Sequence, residues 1–103
     1  MVARGEVWWY EHPTQGRRPY LVLTRNAALP LLNQVLAVPA ARTIRYIPTE
    51  VQLDEGDGMP TKCVLALDNV TLIRPAFCTE RITTLAPEVI QQVCEALTVA
   101  AGC

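Results

Sequence analysis

The stretch EVWWYEHPTQGRRPYLVLT, residues 6–24, sets the fold class. Residues 6–11 hold Val-Trp-Trp-Tyr, aromatic and β-branched side chains suited to a pleated, half-buried surface. The TQGRRP segment supplies turn residues and a proline that opens a second apolar run over residues 19–24. Two strands joined by a tight turn are therefore expected at the start of the chain. Trp8 and Trp9 point to opposite faces of the first. One belongs to the core, and the other is an interface residue or a stacking platform.

The same pattern continues outward. Residues 26–33 read as a loop or a single helical turn broken by Pro30. A third strand is expected over residues 34–41 (QVLAVPAA), and a fourth over 49–53 (TEVQL), where alternation is clean. DEGDGMP is a turn cluster. Residues 62–73 (KCVLALDNVTLI) carry a long strand pattern interrupted at Asp68-Asn69, and residues 81–85 (RITTL) suit a short sixth strand. Thr84 or Ala86 then precedes Pro87, a good first helical residue, and Glu88 favours the positive helix end. Val89, Ile90, Val93, Ala96, Leu97 and Ala100 recur on one helical face, and Gly102 is a stop signal. Five or six short strands closed by one helix predict a mainly β chain, a small twisted barrel or sandwich. At 103 residues, one domain spanning 1–103 is expected.

Half the residues are hydrophobic and 18% are charged, a folding composition. No apolar run approaches the ~20 residues of a membrane-spanning helix. The opening MVARGEVWWYEH has neither an apolar h-region nor a small-residue cleavage site, so a cytoplasmic protein is expected. Cys63, Cys78, Cys94 and Cys103 form no C-x-x-C pair, and His12 is the one histidine. A structural zinc site and a disulfide framework are both disfavoured. Reduced thiols are expected, with Cys63 and Cys94 in the core and Cys103 free.

The formal charge of −1 hides a division. No Asp or Glu lies between His12 and Thr49, yet Arg17, Arg18, Arg25, Arg42 and Arg45 do, while the chain from Val51 onward sums to −4. Arginine makes forked contacts with phosphate, and an acid-free basic half is the composition expected where a phosphate backbone lies. A solvated face is the competing reading. No P-loop, zincin, nucleophile elbow or dinucleotide fingerprint is present. Cleavage of an RNA phosphodiester needs only a group to take the 2′-hydroxyl proton, another to protonate the leaving 5′-oxygen, and a cation for the added charge on phosphorus. Arginine fills the last role without a metal. His12 ends the first strand close to Arg18 across the turn. Arg42, Thr43 and Arg45 follow the third.

Several segments, taken in order, resemble the MazF/PemK/Kid family of toxin endoribonucleases. RGEVWW is similar to that family's opening, and RRPYLVLT to its second strand. CVLALDNVTLI resembles its strand containing an Asp-Gln or Asp-Asn pair, and RITTLAPEVIQQVCEALTVAAG its closing region and final helix. The short first loop and Arg42-Thr43-Ile44-Arg45 most resemble its compact mycobacterial paralogues. The resemblance implies an SH3-like, MazF/CcdB-like β-barrel with a C-terminal helix, no cofactor and no metal, and a homodimer that cuts single-stranded RNA. It also implies a MazE-like antitoxin whose acidic tail blocks the RNA groove. Arg18 takes the catalytic arginine's place, with Thr43, and with His12 or Glu11 as base. Arg17, Arg25, Arg42, Arg45, Asp68 and Asn69 are the expected RNA contacts. Two departures stand out: Ala41 replaces the usual Thr or Ser after the third strand, and Ala66 an arginine found in some members. Thr43 supplies a hydroxyl two residues on. A non-enzymatic, CcdB-like gyrase inhibitor and a catalytically weakened RNA- or antitoxin-binding barrel are the alternatives.

Overall fold

The structure is a computed structural model in which residues 1–102 are described. Seven strands share one sheet: β1 (Glu6–His12), β2 (Gly16–Val22), β3 (Val35–Ala41), β4 (Glu50–Leu53), β5 (Cys63–Ala66), β6 (Thr71–Ile73) and β7 (Cys78–Thr84). One helix, α1 (Pro87–Ala101), follows. All pairs are antiparallel, in the order β4-β5-β3-β2-β1-β7, with β6 also on β3. This is the mainly β, barrel-like architecture with a C-terminal helix anticipated from the strand pattern.

Two strands begin earlier than expected. β2 starts at Gly16, because the β1–β2 ladder continues through Glu11–Arg17 to His12–Gly16. Arg17 and Arg18 are thus ladder residues, not turn residues. Gly16, at φ 83°, accepts the left-handed backbone that this tight connection needs. β7 gains residues 78–80 by pairing with β1 across two register shifts. At residues 26–33 the helical turn forms as a 3-10 turn, Leu29–Leu31, and Pro30 sits inside it without breaking it.

The interrupted strand pattern has a definite geometry. β3 pairs Ala41 with Val64 and Ala40 with Leu65, then resumes with Ala37–Thr71, Leu36–Leu72 and Val35–Ile73. Three steps along β3 match six along its neighbour, so three residues are extra. They form the 3-10 turn Leu67–Asn69, which buries Leu67 and leaves Asp68 and Asn69 exposed.

Strand alternation builds two cores. Val7, Leu21, Val38, Ala40, Val51, Leu53 and Leu65 form one cluster, which Val93 and Ala96 of α1 complete. Burial of each large side chain there contributes about 1.5–3 kcal/mol. Tyr10, Val22, Val35, Ala37 and Ile73 form the second, which Val2 and Leu29 complete. α1 packs on β4 and on the Leu67–Asn69 turn with the expected apolar stripe, and Gly102 ends it at φ 72°.

The end strands β4 and β7 do not pair. The turn after β4 bridges them: the Thr83 hydroxyl donates to the Asp57 carbonyl at 3.0 Å. Gly58, at φ 93°, passes so close that a Cβ there would lie 2.3 Å from Thr83 Oγ1. This strap holds the curled sheet where no ladder does.

Cys63 is buried as expected, but Cys94 is only half-buried. It flanks the apolar stripe of α1, with its Sγ 3.5 Å from Arg4 Nη2. Burial pushes the Cys78 thiol up to about 11. Cys103 lies outside the described residues. Among those residues, no helix is long and apolar enough to cross a membrane.

Candidate active site

Arg17 and Arg18 lie on β2 opposite Glu11 and Tyr10 of β1. Arg17 projects over the ring of Trp9, its guanidinium carbon 4.1 Å from the ring centre. A cation over an indole face is attracted by the ring's quadrupole, and the contact also aligns the planar group. Trp8, the neighbour of Trp9, turns the other way: it packs on the second core and donates from Nε1 to Glu6 at 3.0 Å.

A groove of about 490 Å³ opens beside this stack. Arg17, Arg18, Pro19 and Trp9 form one wall, and Ala40, Ala41, Arg42 and Thr43 at the end of β3 form another. The loop into β5 contributes Met59, Pro60 and Thr61, and β5 itself Cys63. Of the residues expected from sequence, the fold therefore gathers Arg17, Arg18, Arg42 and Thr43. Among the described residues, no carboxylate lines the groove.

The pairing of these arginines matters as much as their position. Among the described residues the only ion pair joins Arg81 to Glu6 at 3.1 Å. Arg17, Arg18, Arg25, Arg42 and Arg45 are exposed and form none. Their guanidinium donors remain available to an anion. Glu6, by contrast, is fully engaged: burial pushes its carboxyl up, but donation from Trp8, Ala3 and Arg81 outweighs this and holds it below the ordinary 4.5.

The hydroxyls divide in the same way. Thr24, Thr49, Thr79, Thr83 and Thr98 donate to, or accept from, groups of the chain. Thr14 contacts His12. Thr43 and Thr61, both on the groove, have no such partner among the described residues, nor do Thr71 and Thr84 away from it. Sequence reading missed Thr61, because nothing in an acidic turn cluster marks its far end as a neighbour of β3. Only the β3–β5 register brings it there.

Other expected residues lie elsewhere. His12 sits in a separate pocket with Tyr10, Tyr20 and Phe77, and its Nδ1 accepts from the Thr14 N–H at 3.1 Å. Arg25 lines a cleft near the helix with Arg4 and Cys94. Asp68 accepts from the Thr49 hydroxyl at 2.6 Å, at the foot of the loop that carries Arg45, and Asn69 shares its turn. Arg45 has its N–H on Glu50 Oε1 at 2.8 Å. Glu11 is exposed, directly across the ladder from Arg17. No group of three or more His, Cys, Asp or Glu among the described residues is placed to hold a metal ion.

Known proteins resemble this chain across nearly its whole length. Residues 3–100 match the family of PemK-like, MazF-like toxins of type II toxin–antitoxin systems. The probable endoribonuclease MazF5 of Mycobacterium tuberculosis is 42% identical over 102 residues, covering 98% of this chain and 94% of that protein. The probable endoribonuclease MazF2 of the same species is 38% identical over 104 residues, covering 99% and 100%. Among solved structures, the M. tuberculosis toxin MazF-mt6 superposes with a TM-score of 0.85 at 27% identity, over 94% of this chain and 96% of that one. A mycobacterial endoribonuclease solved with its cognate antitoxin shares the fold, with a TM-score of 0.89 at 24% identity over 99% and 96%. These relatives favour the ribonuclease reading over the gyrase-inhibitor alternative. With a family match across nearly its whole length, the chain belongs to the PemK-like, MazF-like toxins of type II toxin–antitoxin systems.

Proposed function

We propose that this MazF-type endoribonuclease cleaves single-stranded RNA in the groove between β2, β3 and the loop into β5. The observation that carries the assignment is three unpaired guanidiniums, Arg17, Arg18 and Arg42, around one groove without a carboxylate in its lining. A scissile phosphate gains negative charge as the 2′-oxygen attacks phosphorus. Preorganised cations aimed at that charge are the largest single source of rate in such reactions. Arg18 is assigned this role, and Arg42 holds the backbone beside it. Arg17, fixed on Trp9, sets the approach of the strand.

Glu11, which lies outside the groove lining but directly across the β1–β2 ladder from Arg17, is assigned as the base. His12, in its own pocket, is assigned to a flanking nucleotide. Thr43 replaces the hydroxyl missing at Ala41 and orients the phosphate. The reaction proceeds without a resident metal ion, with arginine meeting the phosphate charge.

The protein acts as one domain in the cytoplasm and as a homodimer. Leu31 and Leu32, 83% and 46% exposed in the loop before β3, offer an apolar face for the second copy. An antitoxin with an acidic tail competes with RNA for the same guanidiniums. Incubating the protein with single-stranded RNA in EDTA, and separately with gyrase and DNA, tests the reading. RNA cleavage supports it; intact RNA with trapped gyrase–DNA overturns it.

A further inference from the structure

Tyr46 is the only described non-glycine residue with a positive φ, at 56°. An L-residue with a Cβ is disfavoured there, and an aromatic one more so than the Asn or Asp usually found. Among the described residues nothing compensates through the side chain. The ring is 75% exposed, and no hydrogen bond or ring contact engages it among the described residues.

The backbone around it is nevertheless fastened on both sides. Ahead of it, the Arg45 N–H donates to Glu50 Oε1 at 2.8 Å. Behind it, the Glu50 N–H donates to the Ile47 carbonyl at 3.0 Å. The foot of the loop is tied to the 3-10 turn, where the Leu67 N–H donates to the Thr49 carbonyl and the Thr49 hydroxyl to Asp68. Asp68 thus buttresses this loop. The chain commits two carboxylates to a conformation whose visible product is an outward aromatic ring.

The ring's neighbours in sequence are Arg42, Thr43 and Arg45, whose guanidiniums and hydroxyl are unpaired. An exposed aromatic flanked in sequence by free cations is equipment for single-stranded nucleic acid: the ring stacks a base while the cations take adjoining phosphates. We infer that Tyr46 is a base-stacking, specificity-determining residue, holding one nucleobase of the RNA that enters the groove past Arg42. This rests on the ribonuclease reading above.

The test compares purified wild-type protein with Tyr46→Ala, Tyr46→Gly and Tyr46→Phe on a pool of single-stranded RNAs. The readouts are KM, kcat, mapped cleavage ends and melting temperature. The Ala and Gly variants should raise KM about tenfold, more than they change kcat, since a stacked base contributes about that factor. They should also flatten the base preference at one position of the cleaved sequence, and Tyr46→Phe should restore both. Tyr46→Gly should melt no lower than wild type, because glycine tolerates the left-handed backbone. If wild type cleaves and all three variants match it in KM and cleavage profile, the inference is wrong. It is equally wrong if the losses follow a lowered melting temperature, or if the variants change only self-association. If wild type itself leaves RNA intact, the ribonuclease reading falls first, and this one with it.

Discussion

The Arg17 guanidinium stacks on Trp9, 4.1 Å from the ring centre, and the two residues occupy neighbouring strands of one hairpin. A long, flexible cation is thereby held at the groove mouth before any RNA arrives. Arg17→Lys keeps the charge but loses the flat stack, and Trp9→Ala removes the platform. Each should weaken single-stranded RNA binding by roughly two- to fivefold, given ~0.5–1 kcal/mol for an exposed contact of this kind. Arg17→Ala should also reduce the slope of log affinity against log salt by about 0.7, the loss of one phosphate contact. Anisotropy titrations at several salt concentrations check both.

The groove hydroxyl gives a second expectation. Thr43→Val removes one unpaired hydroxyl without changing size much, so kcat should fall while the melting temperature holds. Adding Ala41→Thr to that variant returns a hydroxyl to the end of β3 and should recover part of the rate. Single-turnover cleavage by the four proteins of this cycle, wild type included, measures the coupling.

Stability should depend on the strap between the end strands. Gly58→Ala forces a Cβ to within 2.3 Å of Thr83 Oγ1 at a backbone angle of 93°. The clash and the left-handed backbone together should cost about 2–4 kcal/mol. Thr83→Ala in the same chain removes the Oγ1 contact but leaves the residue 83 Cβ 2.8 Å away and the backbone left-handed, so it should restore only part. Urea melts of both variants provide the numbers.

Acid should weaken the Glu6 cluster. Its carboxyl titrates below the ordinary 4.5 because donors from Trp8, Ala3 and Arg81 outweigh the effect of burial. A depressed carboxylate stabilises the fold above the unfolded value, and that contribution disappears as pH falls through the folded one. The stability gap between wild type and Glu6→Gln should therefore be full at neutral pH and close below about pH 4.5. Thermal melts from pH 7 to 3 follow it.

The strands, the helix and the turn cluster were legible because each rests on local patterning. Val89, Ile90, Val93 and Ala96 announce the helix by spacing alone, and Asp68-Asn69 announce the break in a long apolar run. What was not legible depends on register. β2 absorbs Arg17 and Arg18 because Glu11 and His12 pair across the turn, and β7 begins at Cys78 because β1 offers it an edge. The site divides in the same way. An acid-free stretch with five arginines pointed to Arg17, Arg18 and Arg42. Thr61 entered only through the β3–β5 pairing, and Tyr46 only through its backbone angle. Asp68, which sequence reading gave to RNA, also accepts from the Thr49 hydroxyl, a contact that no local pattern announces.

The central claim is that Arg18 does chemistry in this groove. The direct measurement is cleavage of single-stranded RNA in EDTA by purified wild type and Arg18→Ala, with a melting curve for each. Wild type should cut, and Arg18→Ala should be slower by at least ~10²-fold, the usual loss when one preorganised charge stabiliser is removed. Its melting temperature should stay within about 4 °C, as befits an exposed side chain. Undiminished cleavage by a folded Arg18→Ala protein would contradict the account.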